Sequence, residues 1–167
     1  NAIIRGEVLF ESINLREKDD YYYRQHIRGK NISMIFQDPM ASLNPVFTIR
    51  DQMTNVIKLR DSKLTKNQIE EIANNELNKV SIHDSKRVLD SYPFQLSGGM
   101  AQRVLIVMAL MNSPKLVLAD EPSTALDVTL QKQALELMDK LTNQVNAAVL
   151  LVTHNLGVVR EFAERVY

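Results

Sequence analysis

Two short segments constrain this chain more than any other feature. KLVLAD (115–120) and AAVLLV (147–152) are apolar almost throughout, with no alternation of polar and apolar positions. Strands buried on both faces read this way, and they occur in parallel sheets with helices packed against them. Between the two, VTLQKQALELMDKLTNQV (128–145) carries apolar residues at helical spacing and reads as an amphipathic helix. Parallel strands need a crossover of this kind, so residues 115–152 form a strand–helix–strand unit of an α/β protein. NLGVVREFAERV (155–166) continues the rhythm as a further helix.

Upstream, EVLF (7–10) and NISMIF (31–36) read as strands, separated by the charged stretch REKDDYYYRQHIRGK. From about 48 to 90 the pattern is polar and helical, and Thr65 with Gln68 three residues later makes a capping box. An apolar helix covers 99–112 and ends before Pro114, which cannot continue it. The expected architecture is a parallel α/β sheet with a helical insertion before residue 99. At 167 residues the chain is long enough for one domain with a real core. Twenty basic residues cancel twenty acidic ones, which argues against a nucleic-acid partner held by bulk charge. With no cysteine there is neither a disulfide framework nor a thiolate metal site. The longest apolar runs are far too short to cross a bilayer.

The chemistry gathers at strand ends. LVLADEP delivers Asp120 and Glu121 at the carboxyl end of a strand, where open α/β sheets place their ligands. An aspartate there can hold Mg²⁺ through water, and a second carboxylate beside it can polarise an attacking water. Taken alone, an acidic pair in a solvated turn has the same sequence. LVTH repeats the arrangement one strand later and ends in His154, which taken singly reads as a structural histidine. IFQDP (35–39) brings Gln37 to a third strand end, where Gln before Asp-Pro alone would mean only a turn. Together the three ends supply the water-orienting and metal-holding parts of nucleoside triphosphate hydrolysis. LSGGMAQR (96–103) adds two of only five glycines at the head of a helix. Glycines there let the backbone approach an anion, and first-turn amides and the helix dipole favour one. Ser97 would also serve as a plain N-cap.

These residues resemble one family closely, the ATP-binding cassette ATPases. LSGGMAQR is similar to the family's signature motif, LVLADE (116–121) to its Walker B and STALD (123–127) to its D-loop. IFQDP resembles the Q-loop and LVTHNL the H-loop with its switch histidine. Within the family, SMIFQDPMASLNP, YPFQLSGGMAQRV and ADEPSTALDVTLQ look most like the ATPase subunits of bacterial oligopeptide, dipeptide and nickel importers. The resemblance implies a partial P-loop (RecA-like) fold, with about 1–39 and 113–167 in the RecA-like part. It puts about 40–112 in a helical subdomain that carries the signature motif.

It also implies roles. Asp120, with Gln37, would hold Mg²⁺, Glu121 would be the general base and His154 would steady the attacking water at the γ-phosphate. Ser97, Gly98, Gly99 and Gln102 would contact the ATP of the opposite cassette in a head-to-tail dimer, with Asp127 in the dimer contact. Gln37 and the helical middle would face an integral membrane permease, itself served by an extracytoplasmic substrate-binding protein. The expected location is the cytoplasmic face of the bacterial membrane, with no nucleic-acid partner.

One expected part is missing: the sequence holds no G-x-x-x-x-G-K-[ST], the family's phosphate cradle. The family places it upstream of GEVLF, and continues beyond ERVY, so the sequence reads as an internal fragment of a cassette. Nucleotide binding by these residues alone should then be weak or absent, and sheet surface that the family covers should lie bare. The alternatives are a non-catalytic cassette fragment, a nickel importer ATPase, and a cassette protein outside transport.

Overall fold

A computed structural model describes residues 6–122 and 127–167. Its centre is a three-stranded parallel sheet ordered β3–β4–β5, with β3 at Ile32–Ile35, β4 at Leu116–Asp120 and β5 at Ala148–Val152. Ile35 pairs with Ala119, and Asp120 with Val152, so the three carboxyl ends finish side by side. The crossover helix α7 spans Val128–Val145, the span read from its apolar spacing. It closes on Asn146 in the left-handed conformation, and α8 follows β5 at Leu156–Phe162.

The first predicted strand departs from expectation. EVLF yields only Leu9–Phe10 (β1), which folds back on Ile13–Asn14 (β2) as an antiparallel hairpin and takes no place in the parallel sheet. Glu11 and Ser12 form its two-residue loop with φ of 49° and 66°. Two successive positive φ values are the turn geometry that matches strand twist in tight hairpins. The charged stretch also holds more structure than its composition suggests. Asp19 caps a short helix, Asp20–Tyr22 (α1), which widens into a π-turn over Tyr23–Ile27 and buries Ile27.

Between β3 and β4 lie five α-helices. Asp38 caps α2 (Pro39–Ser42) by accepting from the amides of Met40 and Ala41, with proline at the first position where no amide is needed. Capping boxes start α3 (Ile49–Arg60, from Thr48 and Asp51) and α4 (Lys66–Lys79, from Thr65 and Gln68). After α5 (Ser85–Asp90) comes α6 (Gly98–Leu110), capped by Ser97 and two residues shorter at its end than expected. Val104, Leu105, Ile106, Val107 and Leu110 of α6 are all buried. Each such side chain contributes about 1.5–3 kcal/mol relative to exposure. One contiguous core links Met53, Leu77 and Leu89 of the helical region with Ile35, Val117 and Ala119 of the sheet and Leu135 of α7.

Burial on both faces, the reading of the apolar strands, holds for one face only. Ile35 and Ala119 are fully covered, with α6 packed against β3 and against α7. On the opposite face, Met34 pairs with Leu118 and Leu118 with Leu150; Met34 and Leu150 are 42% and 53% exposed. Phe36 and Val152 are exposed as well.

Candidate functional site

Gln37 lies two residues past Ile35, and Glu121 two residues past its register partner Ala119. The register therefore sets them abreast where β3 and β4 run out. The Gln37 Nε2 donates to Glu121 Oε2 at 3.3 Å, and His154 Nδ1 lies 2.5 Å from Glu121 Oε1. One carboxylate is thus held at both oxygens by residues that follow the two neighbouring strands. Glu121 has φ of 44°, a left-handed conformation uncommon for a residue with a side chain. Its amide still donates to Val152 O at 2.9 Å, one step beyond the last β4 pairing. Such backbone costs of order 1–3 kcal/mol and persists where surrounding contacts over-determine it. The Glu121 side chain is only partly exposed, while His154 stands at the surface, 72% exposed.

Asp120 closes β4 half-buried, and no hydrogen bond or ion pair engages its carboxylate among the described residues. No group of three His, Cys, Asp or Glu side chains capable of holding a metal occurs among the described residues. A Mg²⁺ here would therefore rest on one or two carboxylates, water and phosphate oxygens, as this hard, strongly hydrated cation commonly does. The donor set fits that ion.

A second group of predicted residues gathers at the start of α6. Ser97 Oγ accepts from the Met100 amide at 3.3 Å, and the amides of Gly98 and Gly99 meet no acceptor among the described residues. They open on a cavity of about 380 Å³ lined by Ser97, Gly98, Gly99, Met100, Arg103, Asp127 and Leu130. Asp127 caps α7 by accepting from the amides of Thr129 and Leu130. Two helix N-termini therefore face one cavity, an arrangement that favours an anion. Arg103, which no motif reading singled out, lines it while its Nη1 donates to Val80 O at 2.8 Å. Gln37, Asp120, Glu121 and His154 do not line this cavity, so the structure sorts the predicted residues into two sets. Residues 123–126 of the predicted D-loop lie outside the described residues.

Gln102 belongs to neither set. The expectation that it contacts ATP with its neighbours meets a side chain 1% exposed, turned into the protein. Its Nε2 donates to Pro122 O at 2.6 Å, directly after Glu121. The reason is depth along the helix: Gln102 lies one turn inside α6 from Gly98, on nearly the same face, where the helix is already covered by its neighbours while Gly98 stands at the open end.

Residues 2–124 match a family model described as ABC transporter, and the chain belongs to that family. It is 46% identical over 165 residues to the oligopeptide transport ATP-binding protein AppD of Bacillus subtilis (strain 168), covering 96% of this chain and 50% of that protein. It is also 46% identical over 166 residues to the glutathione import ATP-binding protein GsiA of Salmonella paratyphi A, covering 96% of this chain and 26% of that protein. The chain thus spans half or less of the length of these relatives. Among solved structures, the fold is similar to the ATP-binding cassette MJ0796 in a dimeric post-hydrolysis state bound to ADP and phosphate. The TM-score is 0.78 at 30% identity, over 93% of this chain and 66% of that one. Among the described residues no helix is long and apolar enough to cross a membrane.

Proposed function

We propose that the full-length protein is the ATP-hydrolysing subunit of a bacterial importer for oligopeptides or dipeptides, working as a head-to-tail dimer at the cytoplasmic face of the membrane beneath permease subunits. The observation that carries this is the convergence of Gln37, Glu121 and His154 at three parallel strand ends. Peptide as cargo is supported by the name of AppD, an oligopeptide transport protein, at 46% identity.

In this reading Glu121 accepts a proton from the attacking water. His154 and Gln37 hold its two carboxylate oxygens so that the base does not have to be reoriented for each turnover. Asp120, whose carboxylate meets no partner among the described residues, would hold Mg²⁺ through water, and that ion would offset the charge on the phosphate oxygens. The free amides of Gly98 and Gly99, with Ser97, would receive the γ-phosphate of ATP bound to the partner cassette, and Asp127 would border the dimer contact. The division into a RecA-like part (1–39 and 113–167) and a helical subdomain (40–112) belongs to the same proposal. A second reading applies to these 167 residues by themselves: lacking G-x-x-x-x-G-K-[ST], they offer protein-contact surfaces and no tight nucleotide site. Mg²⁺-dependent ATP turnover by the full-length protein, and its loss in Glu121→Gln, tests the first reading.

A further inference from the structure

Gln102 is the one fully buried polar side chain of α6 among the described residues, and it spends its donor on a single backbone atom. Its Nε2 reaches Pro122 O at 2.6 Å, and its Oε1 has no partner. Burying a primary amide with its oxygen unpaired is costly, so the remaining bond must repay more than packing alone would. Its target is the carbonyl that follows Glu121, the residue held at φ of 44°. The same helix opens, one turn earlier, on the cavity lined by Ser97, Gly98 and Gly99. Below that cavity α6 is packed into the core, with Ala101, Val104 and Ile106 buried. A displacement of the head of α6 therefore pulls on the Pro122 carbonyl and, through one peptide bond, on the turn that aims the Glu121 carboxylate at Gln37 and His154.

We propose that Gln102 is a positioning residue that couples the cavity at the head of α6 to the Glu121 carboxylate. A ligand that orders the α6 head orders the Gln102–Pro122 bond, and with it the left-handed turn at Glu121. In the functional reading given above, on which the catalytic part of this proposal rests, engagement of the partner cassette's phosphate at Ser97–Gly99 sets the base of this cassette.

The test uses the full-length protein and Gln102→Met, which keeps the side chain's length and apolar packing, removes the donor and also removes the unsatisfied acceptor. Gln102→Leu, equally without a donor, answers the same question if the methionine variant does not purify. The expected result is kcat lowered about ten-fold, a part of the 10²–10⁴ that a positioned base supplies. KM should be unchanged, the variant should still unfold cooperatively in urea, and in a Glu121→Gln background the same substitution should lower residual turnover no further. A folded variant with wild-type kcat overturns the proposal. So does a raised KM at constant kcat, the mark of a direct nucleotide contact, or an equal loss in the Glu121→Gln background. Hydrogen exchange of the peptide spanning 116–122 separates this proposal from the functional reading. If the wild-type protein turns over no ATP, that reading fails. Faster exchange in Gln102→Met then still upholds the mechanical link, and unchanged exchange removes it.

Discussion

Gly99→Ala separates what the Ser-Gly-Gly motif does for folding from what it does for ligand binding. Gly99 is the second residue of α6, and its φ is not in the region that glycine alone favours. A Cβ added there meets only the Leu130 methyls, each at 3.6 Å, an ordinary van der Waals contact. Folding alone therefore favours alanine, which is better than glycine in a helix by about 0.5–1 kcal/mol. With a urea m-value of about 2 kcal/mol/M, the unfolding midpoint should rise by roughly 0.25–0.5 M. The same methyl stands where Leu130 and the free amides border the cavity. It should block close approach of a phosphate, and losing one preorganised donor costs about 10²–10³ in rate. ATP turnover of the full-length protein should thus fall at least ten-fold while its stability is kept or improved. A variant that unfolds more easily would show that the glycine serves packing. One that is stable and fully active would refute the anion-site argument.

Two further outcomes follow from the fold. Asn112 Nδ2 donates to Gly29 O at 3.0 Å and Val56 O at 2.9 Å, fastening the end of α6 to both the β3 turn and α3. Asn112→Ala removes both hydrogen bonds and should cost about 1–3 kcal/mol in urea unfolding, with KM for ATP unchanged. The bare sheet face of Met34, Leu118 and Leu150 should make these 167 residues self-associate at about 0.1 mM, and Leu150→Lys should reduce it, as read by light scattering.

How much of this was legible from residues alone differs by element. The α7 span and the Thr65–Gln68 capping box were readable because apolar spacing and a Thr-x-x-Gln pattern act locally, while the Thr48–Asp51 box emerged only with the structure. The meeting of Gln37, Glu121 and His154 was legible as three strand ends. That both Gln37 and His154 would grip the one carboxylate depends on register and on φ at Glu121, neither of which is local. The β1–β2 hairpin was hidden because its turn is Glu11-Ser12, where Asn-Gly would have announced it. The structured part of 16–30 was masked by charge, with Ile27 its one buried residue. Gln102 left a signal that went unused: a polar residue with Leu105 and Ile106 three and four places on lies among buried neighbours, and buried amides require a partner.

In the proposed mechanism Glu121, held between Gln37 and His154, is the base for ATP hydrolysis. Glu121→Gln keeps the shape and both hydrogen-bonding contacts within reach while removing the proton acceptor. The decisive measurement is Mg²⁺-dependent ATP turnover of the full-length variant beside its oligomeric state with ATP bound. Turnover should fall by about 10²–10⁴, and an ATP-bound dimer should accumulate. Wild-type turnover in Glu121→Gln would contradict the mechanism.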